Sequence, residues 1–162
     1  LRYPDPRLQQ RSAPVTAFDE PLSKLVDDLV DTLQASGSAV GLSAPQVGEL
    51  RQVLVIDRSG AASEPEVFIN PRIVHRAGLG LAEESCLSVP DVTVRVWRAT
   101  RILIRAADRR GAVFERELDG LGAVCVQHEM DHFDGRLLVD RMNWLGRRRF
   151  ERRLRRAAPA AV

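Results

Sequence analysis

Hydrophobic residues near the start of the chain recur at the spacing of a helix. Between Asp19 and Ser36 they fall at positions i, i+3, i+4, i+7, i+8 and i+11, which places them on one face. These residues are Leu22, Leu25, Val26, Leu29, Val30 and Leu33. Asp19 is suited to cap the start, Pro21 to occupy the first turn and Gly37 to end the helix. The pattern predicts an amphipathic helix that packs on a core and carries no chemistry of its own.

Shorter segments further along the chain predict β-strands. Their apolar or alternating residues lie at 53–56, 67–69, 92–96, 102–104 and 113–118. The second of these strands is expected to stop at Asn70-Pro71. The last two flank Asp108–Gly111, which has the composition of a hairpin turn. These strands are therefore expected to form antiparallel sheets.

Helical spacing returns in the second half of the chain. A helix is predicted from Leu121 to Phe133, and a last helix from about Asn143 to Ala158. The Leu121–Phe133 helix is expected to turn one face inward. That face carries Leu121, Val124, Cys125, His128 and His132. The sequence thus predicts an α+β fold, with antiparallel sheets packed around this central helix and a helix at the C-terminus. Residues 1–142 form the main body of one domain, and residues 143–162 its basic C-terminal helix and tail.

The central helix contains the pattern H-E-x-x-H. His128 and His132 are one turn apart on the same face, so both imidazoles can bind one metal ion. Glu129 lies beside them and can take the proton of a nucleophilic water. The pattern indicates a metallohydrolase and leaves the third ligand to be found.

Few residues can supply that ligand. His75 stands alone in a strand-like segment and is expected at the surface. Cys125 is on the same helix but about 10 Å along its axis from His132, so one ion cannot bind both together with His128. Cys86 comes from a different segment and can approach across a cleft. A Cys-His-His set leaves a fourth tetrahedral position open, as a catalytic site requires.

Three motifs in this order resemble those of peptide deformylase, the metallohydrolase that removes the N-formyl group from the initiator methionine of new bacterial proteins. They are Gly41–Gln46 (G-L-S-A-P-Q), Glu84–Ser88 (E-S-C-L-S) and His128–His132 (H-E-M-D-H). The resemblance extends from Leu1 to about Arg141. It implies an α+β fold and residues 1–142 as the catalytic part of the domain. It also implies nascent formyl-methionyl polypeptides as substrates.

The resemblance also implies the roles of individual residues. Glu129 would be the general base and then the general acid, while Gln46 and the backbone N–H of Leu87 would donate to the oxyanion. Gly41 would let a substrate strand approach that edge of the sheet. The apolar pocket for methionine would be lined by Val40, Leu87, Leu121, Val124 and Cys125. Glu84 and Asp131 are candidates for orienting neighbouring groups of the site.

One divalent metal ion per chain is expected. The Cys-His-His donors by themselves suit zinc. The resemblance implies iron(II) as the physiological metal, with zinc or nickel as substitutes. Three positions depart from the family pattern: Ala39 and Ser85 stand where glycine is common, and Thr93 where many bacterial members have arginine. Ser85 is the departure that could shift Cys86 and Leu87.

Composition and charge indicate the cell compartment and the kind of partner to expect. No run approaches the roughly 20 apolar residues of a membrane span, and two cysteines fit a reducing cytosol, so a cytoplasmic protein is expected. Residues 147–156 hold seven arginines and one glutamate, a formal charge of +6, while the whole chain has +2 and the remainder therefore −4. This asymmetry indicates a polyanionic partner. By the resemblance, the residues that would contact ribosomal RNA are Arg147, Arg148, Arg152, Arg153, Arg155 and Arg156.

The alternative for the basic segment is a solvated helix face, with Phe150 and Leu154 packed inward. For the whole protein, two further hypotheses stay open. One is a zinc peptidase that uses H-E-x-x-H. The cysteine segment and the A-P-Q loop count against it. The other is a catalytically silent metal- or ribosome-binding protein, which only Ala39 and Ser85 support.

Overall fold

The computed structural model describes residues 1–58 and 65–157, with the side chains of residues 155–157 left out. Within this part of the chain the helices are α1 (Glu20–Ser36), α2 (Gly120–Phe133), α3 (Leu138–Arg141) and α4 (Trp144–Ala157). The strands are β1 (Gly41–Ser43), β2 (Val53–Ile56), β3 (Glu66–Ala77), β4 (Gly80–Cys86), β5 (Val89–Arg98), β6 (Arg101–Ala107) and β7 (Val113–Asp119). Short 3₁₀ helices form at Pro6–Gln9 and Ala44–Val47. The predicted α+β class is confirmed.

Helix α1 has the ends that the sequence predicted. The side chain of Asp19 accepts a hydrogen bond from the N–H of Leu22, and Pro21 occupies the first turn. Gly37 ends the helix in the left-handed conformation, at φ 68°, which glycine adopts without strain. The apolar stripe is buried, except that Val30 is only partly covered.

The larger sheet is antiparallel and separates α1 from α2. Its strand order is β1-β2-β3-β6-β7, so β1 lies at one edge. All four residues of β2 are fully buried because helices cover both faces: Val53 and Val55 pack with α1, while Leu54 and Ile56 pack with α2. The sheet therefore holds β1 beside the metal helix predicted from the sequence.

Strand β3 does not stop where the sequence predicted. It continues through Asn70-Pro71 to Ala77, with a shift of register against β6 between Ile69 and Arg72. Asn70 adopts a left-handed φ of 51°, and its side chain binds both the N–H and the carbonyl oxygen of Val15. A bulge thus absorbs the proline, which a regular ladder position could not accept.

Strands β4 and β5 form a separate two-stranded ribbon. The sequence pattern predicts only residues 92–96 of β5 and gives no signal for β4 or β1. The ribbon packs with α3 and α4 in an apolar cluster separate from the two on either face of the large sheet. This cluster contains Cys86 and Phe150. Phe150 and Leu154 of α4 face this cluster, as the solvated-face alternative expected, while Arg148, Arg149, Arg152 and Arg153 are exposed.

Two expectations concern residues outside these ranges. The predicted end of the last helix at Ala158 and the side chains of Arg155 and Arg156 lie outside the described part of the chain. Among the described residues, no helix is both long and apolar enough to cross a membrane.

Candidate active site

Helix α2 carries both histidines of the predicted metal site and Glu129, and one glutamine fixes the helix to the backbone that follows β5. The side-chain amide of Gln127 donates to the carbonyl oxygen of Ala99 at 2.9 Å and accepts from the N–H of Ala99 at 3.1 Å. This two-way bond fixes the rotation of α2 relative to the end of β5. Sequence reasoning missed the role of Gln127, although it directly precedes the H-E-x-x-H pattern.

Cys86 reaches α2 from the end of β4. The pairing of β4 with β5 shifts between Ser85 and Cys86, and a two-residue turn follows. The Sγ atom of Cys86 lies 3.4 Å from Nε2 of His132. The ligand atoms of Cys86, His128 and His132 all lie within 4.8 Å of one another, and all three side chains are largely buried. One thiolate and two imidazoles at this spacing form a donor set that fits a divalent metal ion.

The two histidines differ in their surroundings. Burial lowers the pKa of His132 to about 3, so its ring is neutral and can bind a metal ion. For His128 burial acts in the same direction, but hydrogen bonds to Cys86 and Glu84 outweigh it and raise the pKa to about 10. A metal ion must therefore displace a proton from His128, as is usual when a protein ligand is formed.

Glu84 orients His128. Its Oε2 lies 2.8 Å from Nδ1 of the histidine, and both its oxygens accept from Arg98, at 2.7 and 3.0 Å. Burial works to raise the pKa of Glu84, but the bonds from Arg98 and His128 lower it to about 2. Asp131, the other expected orienting residue, also binds Arg98. The contribution of Arg98 was missed, because a strand arginine carries no signal of burial in the sequence.

Glu129 is 4% exposed and points into the site. The hydroxyl of Ser43 lies 2.8 Å from its Oε2, and burial raises the pKa of Glu129. A buried carboxyl group with a raised pKa suits both the acceptance and the return of a proton. Glu129 is therefore not a solvated carboxylate on the outer face of the helix.

Gln46 lies in the short 3₁₀ helix Ala44–Val47, which directly follows β1. Its Oε1 accepts from the backbone N–H and the hydroxyl of Ser43, at 2.9 and 3.0 Å. Because the oxygen is fixed in this way, the amide NH₂ points to Sγ of Cys86 (3.6 Å) and Oγ of Ser88 (3.3 Å). The structure thus places a neutral donor beside the candidate ligand, and it adds Ser43 and Ser88 to the site.

The five residues predicted to bind substrate line one cavity of about 500 Å³, which also contains Cys86, His128 and Glu129. They are Val40, Gly41, Leu121, Val124 and Cys125. Leu121 is 61% exposed, so its predicted inward orientation is wrong and it lies at the mouth. Leu87 is 42% exposed and lines the same cavity.

Gly41 lies close to α2. A Cβ atom at this position would overlap the thiol of Cys125 and come within 3.1 Å of Oε1 of Glu129. Only glycine allows β1 to approach the helix this closely. Since β1 is an edge strand, its outer side borders the cavity.

The departures from the family pattern fit their surroundings. Ser85 does not have the left-handed φ that would favour glycine. Ser85 and Thr93 are direct cross-strand partners, and their hydroxyl oxygens are 3.1 Å apart. Ala39 packs against the apolar cluster that contains the buried face of α1. Ser85 therefore needs no displacement of Cys86.

The other residues considered as metal ligands, His75 and Cys125, are not part of the Cys-His-His group. His75 is exposed on β3, as expected. Cys125 is buried but is not among the three ligand atoms that come together, and burial raises the pKa of its thiol well above the ordinary value. It packs behind the site as a small apolar residue.

Comparison with known proteins gives consistent similarities. The family described as polypeptide deformylase matches residues 1–148. The peptide deformylase of Alkalilimnicola ehrlichii is 46% identical over 155 residues, which cover 95% of this chain and 86% of that protein. Peptide deformylase 1 of Shewanella oneidensis is 41% identical over 158 residues, covering 98% and 94%.

A solved structure shows the same fold. The crystal structure of a peptide deformylase from Legionella pneumophila superposes with a TM-score of 0.91 at 40% sequence identity. The match covers 100% of this chain and 97% of that chain. The similarity therefore includes both sheets, the central helix and the C-terminal helix.

Proposed function

Because the chain belongs to the polypeptide deformylase family, we propose that Cys86, His128 and His132 hold the metal ion on which this family's reaction depends. The activity of the family, and hence of this protein, is metal-dependent hydrolysis. It removes the N-formyl group from the N-terminal methionine of nascent polypeptides.

The observation that carries the assignment of the site is the meeting of three buried donor atoms beside a buried carboxyl group. When bound there, a divalent metal would supply the Lewis acidity that makes water nucleophilic near neutral pH. Its identity is proposed to be iron(II), with zinc or nickel as substitutes, on the resemblance to other deformylases.

Glu129 is proposed to take the proton of the attacking water and return it to the leaving amine. Its raised pKa and the 2.8 Å contact of its Oε2 with the hydroxyl of Ser43 support this role. Gln46 and the backbone N–H of Leu87 are proposed to donate to the oxyanion that forms on the formyl group. The support for Gln46 is that Ser43 fixes its oxygen and so directs its NH₂ group into the site.

The substrate is proposed to lie along β1, where Gly41 leaves room for a peptide backbone at the edge of the sheet. The methionine side chain would enter the cavity, whose apolar residues are Val40, Leu87, Leu121 and Val124, together with Cys125. Leu121 and Leu87 are exposed and line the cavity, so both can contact a bound methionine side chain.

The test is formate release from formyl-Met-Ala-Ser by protein purified without oxygen and loaded with iron(II) or nickel(II). Release of formate with the peptide bonds intact would exclude the zinc peptidase. Stoichiometric metal without turnover would favour the silent metal-binding protein.

Replacement of the proposed base separates binding from chemistry. We expect Glu129→Gln and Glu129→Ala to keep one metal ion per chain but to lower kcat by about 10²- to 10⁴-fold, because a positioned base contributes that much. Cys86→Ala is the matched control, which should lose the metal itself. Full activity in Glu129→Ala would show that another group is the base.

We further propose that residues 1–142 form the catalytic part of the domain and that the basic segment 143–162 docks on the ribosome in the cytoplasm. In α4, Phe150 and Leu154 face the core while Arg149 and Arg152 are exposed. Arg147 is paired with Asp140 and Glu151 and is less available for phosphate groups.

Cosedimentation with ribosomes at increasing salt tests the docking. The double variant Arg149→Glu/Arg152→Glu should bind more weakly, and the slope of log K against log [salt] should fall by about 0.7 to 0.9 for each phosphate group that the variant no longer binds. Arg110→Glu, in the exposed β6–β7 turn, is the control and should bind as the parent does. Equal binding by all three proteins would contradict docking through α4.

A further inference from the structure

A continuous chain of charged side chains runs from His128 to the surface. Nδ1 of His128 contacts Glu84 at 2.8 Å, and Arg98 donates to both oxygens of Glu84. Nη1 of Arg98 lies 2.9 Å from Asp131. Arg141 then donates to both oxygens of Asp131, at 2.8 and 2.9 Å. Negative and positive groups therefore alternate from the proposed ligand to α3.

The members become more exposed towards the surface. The side chains of Glu84 and Arg98 are 4% and 6% exposed, that of Asp131 is 17% and that of Arg141 is 36%. Ion pairs that are shielded from water interact strongly, and a buried carboxylate without a partner is costly. Arg98 has one positive charge but faces two carboxylates, those of Glu84 and Asp131. Arg141 supplies the second positive charge, so Arg98 can stay fully bound to Glu84.

The bond between Glu84 and His128 determines how the imidazole is presented. A carboxylate at Nδ1 favours the tautomer that carries its N–H there, which leaves Nε2 free to bind a metal ion. Partners of this kind contribute about 10- to 100-fold to metal affinity. Any residue that keeps Glu84 in place therefore acts on the affinity of the site.

We propose that Arg141 is a positioning residue for His128, acting through Asp131, Arg98 and Glu84, and that it raises the affinity of the site for its metal. The inference rests on the ligand set of the proposed function. It gives the four-residue helix α3, which carries Arg141 and precedes α4, a role beyond packing.

The test measures zinc affinity by competition with a chromophoric chelator. Arg141→Ala should bind zinc about 3- to 10-fold more weakly, less than for a direct partner of a ligand, because the effect passes through three side chains. The melting temperature of the metal-free protein should change little, since a partly exposed ion pair contributes at most about 1 kcal/mol. Arg141→Lys should recover most of the affinity. An unchanged affinity in Arg141→Ala would overturn the proposal.

Two controls identify the path of the effect. Arg136→Ala removes a neighbouring arginine whose pair with Asp134 is exposed, and it should bind zinc as the parent does. In a Glu84→Gln background, Arg141→Ala should cause little further loss. Either of two results would overturn the proposal. One is an equal loss of zinc affinity in Arg136→Ala and Arg141→Ala, and the other is an equal effect of Arg141→Ala in the parent and in Glu84→Gln. If Cys86→Ala kept stoichiometric zinc, the ligand set itself would be wrong, which is a separate failure.

Discussion

At the scale of single residues, the site depends on polar groups whose hydrogen bonds are shared. Ser43 contacts both the proposed base Glu129 and the oxygen of Gln46, so one hydroxyl connects the two groups. Gln127 fixes the helix that carries Glu129. Side chains outside the proposed reacting groups thus determine the positions of those groups.

The close approach at Gly41 gives a residue-scale prediction. Gly41→Ala should lower kcat by about 10²-fold, because the new Cβ would push on Cys125 and displace Glu129 by a fraction of an ångström or more. Overpacking should also cost about 1–3 kcal/mol of stability. Steady-state kinetics and thermal unfolding measure the two effects.

The double variant Gly41→Ala/Cys125→Ala is the matched control. It removes the thiol that the new methyl group would overlap, so activity and stability should partly return. Cys125→Ala alone measures the effect of removing the thiol, which also lines the proposed methionine pocket. Unchanged kinetics in Gly41→Ala would show that the glycine is not needed for the approach of β1 to α2.

At the scale of elements, the bulge in β3 shows how one strand accepts a proline. Asn70 takes a left-handed φ, and its side-chain amide holds Val15 by two hydrogen bonds of 2.7 and 2.8 Å. The bulge therefore anchors the segment that precedes α1 to the central sheet.

Two substitutions at Asn70 separate conformation from hydrogen bonding. Asn70→Gly should lose about 1–3 kcal/mol, since two hydrogen bonds contribute about 0.5–1.5 kcal/mol each. Asn70→Ala should lose about 1–2 kcal/mol more, because a left-handed backbone is costly for alanine. Denaturant unfolding of the metal-loaded variants measures the difference. Equal stability of both variants would show that φ does not matter at this position.

At the scale of the whole molecule, three separate elements supply the proposed active site. The ribbon brings Cys86, α2 brings the histidines, and the 3₁₀ helix after β1 brings Gln46. A metal ion that binds Cys86 and α2 together connects the ribbon to the rest of the fold. Metal binding is therefore expected to stabilise the folded protein.

Metal removal tests this connection. At a free metal concentration of 100 times Kd, binding should stabilise the protein by about 2.7 kcal/mol, so a chelator should lower the Tm of the parent. Cys86→Ala should have the same Tm with and without the chelator. An equal shift in both proteins would place the stabilising metal at another site.

The sequence predicted some parts of this structure well and others poorly. Helix α1 was predicted with its caps because the signals are local: Asp19, Pro21, Gly37 and a regular apolar stripe. Strand β4 was missed because its outward residues are mixed and it buries Glu84, which composition alone assigns to the surface. The continuation of β3 was missed because the Asn70 bulge depends on a contact with the distant Val15.

By itself, the sequence determined the class of fold, the family, and the spacing that puts His128, Glu129 and His132 on one helix, since these follow from local periodicity and motif order. Only the tertiary structure decided which buried charges surround them. Arg98 and Arg141 join Glu84 and Asp131 across four elements, and Ser43 contacts Glu129 across 86 positions of the chain. Such contacts depend on how sheet, ribbon and helices pack, and no local pattern encodes that packing.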